Sequence, residues 1–368
     1  MKKNLLLLLS TLLIMFFLGE VASRMWSHFV NPVTKYPDKI AFAYFPYLPY
    51  TPAPGYKNEH RGISNNSRGF RNSYEFLSPK PSNVYRIVCM GGSTTYSDYD
   101  HASNEEVWTG RLENYLNQNS SSLKFEVINA SASNYTTYMN LIDYLTRVRD
   151  LEVDMVILYE GVNELYYNGF DSVSFAHSNV FQNFDSDKVN RLLYRMNHNF
   201  FLQNSELLKR IYAMIFIDHL NLNFMMTKTV HYNAEHNINN MKMDSLLTFE
   251  KGLKGFIGLS KVDDFKLIFL SQAYQFSKLR AELKHFNKSI NEQSINDYIL
   301  ETDRIKKKME EVALENNIPF LDMNKVLSQE KSFFVKDPYD AVHFSRKGDE
   351  FFGRSLYSYI KSYISLSQ

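Results

Sequence analysis

The stretch Ile87-Val88-Cys89-Met90-Gly91-Gly92-Ser93-Thr94-Thr95 decides the reading of this chain. An apolar run that reads as a buried strand passes at once into two glycines, a serine and two threonines. That order lets a strand stop and the chain turn sharply before a helix begins. A hydroxyl is left at the C-terminal edge of a sheet, where open α/β folds place their ligands. Ser93 is therefore the candidate nucleophile. A glycine-rich turn after a strand can also cradle phosphate, but no lysine follows where a P-loop needs one.

Outward from this stretch, strands and helices alternate. Tyr85 to Met90 reads as a first strand, and Val107 to Asn117, with Trp108, Leu112, Tyr115 and Leu116 at helical spacing, as a first helix. Phe125 to Ala130 reads as a second strand and Tyr138 to Arg149 as a second helix. Met155-Val156-Ile157-Leu158-Tyr159 is apolar throughout, as a strand covered on both faces should be. Strands alternating with helices predict a parallel sheet with right-handed crossovers. From about 171 to 264 no comparable strand appears. Arg191 to Asn199 and Glu206 to Asn223 read as helices, the latter with Leu207, Leu208, Ile211, Ile215 and Leu220 in one stripe. An insertion behind a strand end serves as a lid, a partner-binding surface or a membrane-facing surface. The sheet resumes at Phe265 to Leu270, followed by a charged helix near Asn296 to Asn317, a short strand Ile318 to Asp322 and a last amphipathic helix Gly348 to Ile364.

Lys plus Arg is 41 against 40 Asp plus Glu, so no global field favours nucleic acid, and none is expected as a partner. The single cysteine, Cys89, excludes an internal disulfide framework and a cysteine-based zinc site. Met1-Lys2-Lys3 precedes an uncharged run from Leu5 to Leu18, the mark of a signal sequence. Val21-Ala22-Ser23 offers a cleavage site, while Gly19 to Trp26 extends the run towards spanning length. The chain thus carries an N-terminal membrane anchor or signal sequence over 1–26, with two lysines favouring an anchor whose N-terminus stays in the cytoplasm. The alternative is secretion after cleavage. Either way the domain lies outside the cytoplasm (periplasmic for an inner-membrane anchor). Proline-punctuated residues 27–81 read as an extended stalk or leader packing on the domain. Within it, Ser67-Arg68-Gly69-Phe70-Arg71-Asn72 reads as either a solvated turn or a substrate contact, and Asn65-Asn66-Ser67 matches a glycosylation acceptor.

Serine attack on an acyl carbon needs a base, a group that orients the base, and donors for the oxyanion. Of ten histidines only His343 sits in such a context, Asp337-Pro338-Tyr339-Asp340-Ala341-Val342-His343-Phe344-Ser345. A carboxylate three residues before a histidine can bond one ring nitrogen and free the other to face a serine. Glu160-Gly161-Val162-Asn163-Glu164, after the third strand, offers the Asn163 amide as an oxyanion donor. Asn129-Ala130-Ser131-Ala132-Ser133-Asn134, after the second, offers a backbone N–H. The histidines form no ligand cluster and serine chemistry needs no metal, so no cofactor is expected.

In this order these pieces resemble the SGNH (GDSL-like) hydrolase superfamily, membrane-anchored bacterial type, over roughly Tyr85 to Glu164 and Phe265 to Tyr359. The Gly69-Phe70-Arg71 segment is similar to the leader of such anchored members. The resemblance implies an α/β fold, a three-layer α/β/α domain over 82–368 with a five-stranded mostly parallel flavodoxin-like sheet and a helical insertion at about 171–264. It implies Ser93, His343 and Asp340 as catalytic residues, with Ser93, Asn134 and Asn163 forming the oxyanion hole. Where the second block usually ends in glycine this chain has Asn134. Donation from its N–H requires backbone angles that asparagine tolerates better than other residues with a Cβ. The expected activity is hydrolysis of an acyl ester, O-acetyl before others, on an acylated carbohydrate or other ester substrate at the cell surface. The alternatives are an O-acyltransferase acting on polysaccharide and a non-catalytic binding protein on the same fold.

Overall fold

A computed structural model describes residues 2–29, 41–59, 61–97, 99–100, 102–167, 186–216, 246–327 and 330–364. The chain divides into two compact units, Met1–Ala41 with Phe184–Thr229, and Phe42–Asn183 with Val230–Gln368.

The larger unit opens with two small antiparallel hairpins. β1 (Phe42–Phe45) pairs with β2 (Leu48–Pro52), and β3 (Lys57–Asn58) pairs with β4 (Ile63–Ser64). The central sheet follows from β5 (Val84–Gly91), β6 (Lys124–Asn129), β7 (Met155–Glu160), β8 (Lys266–Ser271) and β9 (Phe320–Asp322), in spatial order β6-β5-β7-β8-β9. Every pairing is parallel, so the sheet is wholly rather than mostly parallel. The order reverses direction at β5, whose neighbours are the next two strands of the sheet. In sheets wound this way the crevice at the reversal, beyond the carboxyl ends of the strands, is where ligands sit.

Alternate side chains of each strand face opposite layers, as the pleat dictates. Val88, Met90, Ile128, Val156, Leu158, Leu267 and Phe269 join one buried cluster with helices Leu246–Val262 and Glu292–Glu315. Ile87, Cys89, Val127, Met155, Ile157, Ile268 and Leu270 join another with helices Trp108–Gln118 and Arg346–Ile360. The domain is thus a three-layer α/β/α sandwich. Burying each such side chain contributes roughly 1.5–3 kcal/mol. A Cβ on Gly353 would lie 2.6 Å from Arg111 Cβ and 2.9 Å from Trp108 O, so glycine there sets the close approach of the last helix to Trp108–Gln118.

Two sequence readings change. The insertion does not run to Asp264, because helix Leu246–Val262 is a layer helix with Phe249, Leu253, Phe256 and Ile257 buried. The glycosylation match at Asn65 also fails. Its side chain is buried, donates to Ala53 O at 3.1 Å and accepts from the Tyr96 hydroxyl at 3.1 Å.

The other unit combines the N-terminal helix Lys2–Phe29 with helices Ser186–His198, Phe200–Asn204 and Glu206–Phe216. Lys3–Trp26 is long and apolar enough to cross a membrane. The expected helices Arg191 to Asn199 and Glu206 to Asn223 begin within these elements. Residues 217–223, Leu220 among them, lie outside the described residues, as do 168–185 of the insertion.

Candidate active site

β5 ends at Gly91, and Ser93 opens the short helix Ser93–Tyr96. Neither Gly91 nor Gly92 has a positive φ; close approach demands them instead. A Cβ on Gly91 would fall 2.5 Å from Tyr159 O, and one on Gly92 would fall 2.4 Å from Asn163 Nδ2. The turn therefore admits the Asn163 amide against its backbone and leaves Ser93 buried at the strand end. As the first residue of its helix, Ser93 has an N–H with no intrahelical acceptor, directed off the helix start.

His343 joins this turn from the far end of the sequence. Its Nε2 lies 2.8 Å from Ser93 Oγ, and its Nδ1 lies 2.8 Å from Asp340 Oδ2. The Asp340 carboxylate also closes its own turn, Oδ1 accepting from Val342 N at 3.1 Å and His343 N at 3.0 Å. That accounts for the spacing of three. One carboxylate oxygen holds the turn shut and the other is left facing the imidazole. Burial pushes the Asp340 carboxyl up, but the His343 ring and the two backbone N–H groups outweigh it and hold it at about 2. An ionised Asp340 favours a proton on Nδ1, which leaves the Nε2 lone pair towards the serine hydroxyl.

The loop bearing both residues is pinned on several sides. Phe334 and Phe344 form an antiparallel bridge, and Val335 N donates to His343 O at 3.0 Å. Gln275 N donates to Ala341 O at 2.8 Å, while Lys278 Nζ donates to Val335 O and, at 3.0 Å, to Asp337 O.

Asn163 stands at the start of helix Val162–Tyr167, just beyond β7, and its Nδ2 donates to Tyr135 O at 2.6 Å. One amide proton is thereby spent on the loop after β6, and the nitrogen abuts Gly92. Asn134, in that loop, has φ 64°, the left-handed conformation. Its side chain hydrogen-bonds the Tyr50 hydroxyl, which itself donates to Ser133 O. The structure thus brings Ser93, His343 and Asp340 into direct contact and sets Asn163 beside the serine turn. It ties the Asn134 loop to that turn through Tyr135.

Several contributors carried no clear sequence signal. The Tyr99 ring stacks on His343 with centroids 3.4 Å apart at 17°. Arg71, from the leader, is buried rather than part of a solvated turn. Its guanidinium donates to Tyr96 O and Ser97 O at the end of the serine helix, to Ala102 O at 2.7 Å and to Asn104 Oδ1 at 3.2 Å. A cation at those carbonyls complements the helix end it faces. Beside it, Asp349 accepts from Trp108 N at 3.0 Å and Ser97 Oγ at 3.1 Å. At the end of β7, burial pushes the carboxyls of Glu160 and, just beyond it, Glu164 up. Glu164 accepts from Thr137 N at 2.6 Å. Among the described residues no group of three or more His, Cys, Asp and Glu side chains could hold a metal ion.

No protein-family model matches the sequence, and no curated protein does. Solved structures are similar in part. An acetyl xylan esterase, AlAXEase, is 14% identical, with a TM-score of 0.41 over 75% of this chain and 99% of that one. A lipase/acylhydrolase from Enterococcus faecalis is 16% identical, with a TM-score of 0.43 over 77% of this chain and 99% of that one. An acetyl xylan esterase from Geobacillus stearothermophilus is 13% identical, with a TM-score of 0.42 over 75% and 94%.

Proposed function

We propose that this chain is a serine esterase or deacylase that hydrolyses an acyl ester, O-acetyl before others, on a cell-surface carbohydrate. One observation carries the reading: the His343 ring bridges Ser93 and Asp340, with both nitrogens at 2.8 Å. In this mechanism Ser93 Oγ attacks the ester carbonyl as its proton passes to His343 Nε2. The Asp340 carboxylate orients the ring and stabilises the imidazolium. The Ser93 N–H, the second Asn163 amide proton and the Asn134 N–H hold the developing oxyanion. His343 returns the proton to the leaving alcohol. A water, deprotonated by the same nitrogen, then attacks the acyl-Ser93 ester and releases the acid.

Location belongs to the same reading. Lys2 and Lys3 precede an apolar helix of spanning length, which supports an uncleaved anchor with the larger unit outside the cytoplasm. Ser93→Ala tests the chemistry. Hydrolysis of a chromogenic acetate ester should fall by about 10³-fold or more while the melting temperature holds. Hydrolysis retained at the wild-type rate would overturn the assignment. Offering an acetylated donor with a polysaccharide acceptor separates release of free acid from transfer to the acceptor.

A further inference from the structure

The N-terminal helix has a polar device at one end of its apolar run. Glu20 reaches helix Glu206–Phe216 and caps its first turn, accepting from Ser205 Oγ at 2.7 Å, Glu206 N at 3.0 Å and Leu207 N at 3.0 Å. Those backbone donors have no acceptor within their own helix. Arg24 completes the clamp, donating from Nε to Glu20 at 2.7 Å and from a terminal nitrogen to Asn204 O at 2.9 Å. Gly19 lets the helices close up, since a Cβ there would lie 2.9 Å from Leu207 Cδ2. Among the described residues of the apolar run, the cover lies towards this end. Gly19, Glu20 and Ser23 are partly covered, whereas every side chain from Leu5 to Leu18 is exposed.

The clamped helices also expose large apolar side chains. Phe200 and Phe201 are 72% and 69% exposed, and Met214, Ile215 and Phe216 are exposed at the end of helix Glu206–Phe216. Over 186–216 there are five Lys and Arg against two Asp and Glu. Apolar and aromatic side chains on short helices with a basic excess suit the interface of an anionic bilayer. These helices are joined through Glu20 to a helix long and apolar enough to cross a bilayer.

We propose that helices 186–216 form a membrane-surface platform. Glu20 clamps them where the apolar helix leaves the bilayer, and Phe200, Phe201, Met214, Ile215 and Phe216 rest in the headgroup layer. The inference rests on the N-terminal helix spanning the membrane, as read above. It requires that the helix be retained, because cleavage at Val21-Ala22-Ser23 would carry Glu20 away with the signal.

The full chain in phosphatidylcholine–phosphatidylglycerol vesicles tests this. Cys89 is the only cysteine in the sequence and is fully buried, so cysteines introduced by Phe201→Cys, Met214→Cys and Leu12→Cys can each carry a bimane label. Shallow doxyl lipids should quench labels 201 and 214 about twofold or more, and deep doxyl lipids should quench label 12. Adding Glu20→Ala should remove at least half the quenching at 201 and 214 and leave label 12 unchanged, while Glu20→Gln, which keeps an acceptor oxygen, should retain most of it. Quenching at 12 but not at 201 or 214 would overturn the platform and leave the anchor standing. No quenching at any position would overturn both. Quenching at 201 and 214 indifferent to Glu20→Ala would overturn the clamp.

Discussion

Asp340 and Asp349 stand nine positions apart, flanking the start of the last helix, and burial drives their carboxyls up in both places. The outcomes are opposite. Asp340 is held at about 2, while Asp349 is pushed to about 7. Asp340 has the His343 ring and two backbone N–H donors around it. Asp349 has one backbone N–H and one serine hydroxyl, with the Arg71 charge acting from further off. The comparison teaches that burial sets the direction only where donors are few. Several donors and an adjacent imidazole reverse it. One aspartate is built to stay charged. The other is a buried brace that takes up a proton near neutrality.

The largest break of this comparison comes from Asp340→Asn. An amide facing His343 Nδ1 favours the wrong tautomer, so ester turnover should drop by about 10³- to 10⁴-fold. The fold should survive, because the amide oxygen can still close the 340–343 turn. Activity within tenfold of wild type would remove Asp340 from the chemistry. Arg71→Met comes next. It strips a buried cation from the carbonyls of the serine helix and weakens the field on Asp349. A loss of about 3 kcal/mol in denaturant unfolding is expected, with a further rise of the Asp349 carboxyl. A loss below about 1 kcal/mol would mean that those carbonyls find other donors.

Asp349→Asn sharpens the comparison through pH. A carboxyl raised from 3.8 to about 7 stabilises the fold fully below pH 4 and loses that stabilisation as pH rises to 7. Asparagine keeps an acceptor for Trp108 N and removes the titration. Unfolding of the variant should therefore lack the fall, on the order of a few kcal/mol, that the wild type shows between about pH 4 and 7. A slope that persists would place its origin elsewhere. Asp340 has the opposite sign, its contribution present above pH 4 and lost as pH falls towards 2. The smallest effect is expected from Tyr99→Ala. Removing a ring that stacks on His343 at the surface should lower kcat by about threefold to tenfold, because the ring only positions the imidazole. An unchanged kcat with a raised KM would make Tyr99 a substrate contact instead.

Much of the sheet and of the candidate site's geometry is legible in the sequence because each signal is local. Apolar runs such as Met155–Tyr159 fit buried parallel strands, and the three-residue step from Asp340 to His343 is the reach of one side chain across its own turn. What escaped depends on approach between distant segments. Helix Leu246–Val262 falls inside the stretch read as an insertion, since that stretch is marked only by the lack of a strand. In the fold its Gly252 and Gly255 admit Thr137 and Leu141, a Cβ on either lying within 3 Å of those side chains. Tyr99 is one tyrosine among 25, and nothing in its neighbours marks a partner far along the chain. Arg71 lies in a segment that reads as a solvated turn or a substrate contact. Its burial follows from carbonyls of the serine helix, which periodicity does not reveal.

The position of Arg71 bears on how the protein can be shortened. A shortened version that begins at Ser82, just ahead of β5, would lose the cation behind the serine helix. It would also lose Tyr50, whose hydroxyl meets Ser133 and Asn134 beneath the candidate oxyanion pocket. Such a chain should emerge insoluble or inert for reasons unrelated to the apolar N-terminal helix. A cut just ahead of Phe42 keeps both supports and removes the apolar helix, and that is where an engineer should place the new start.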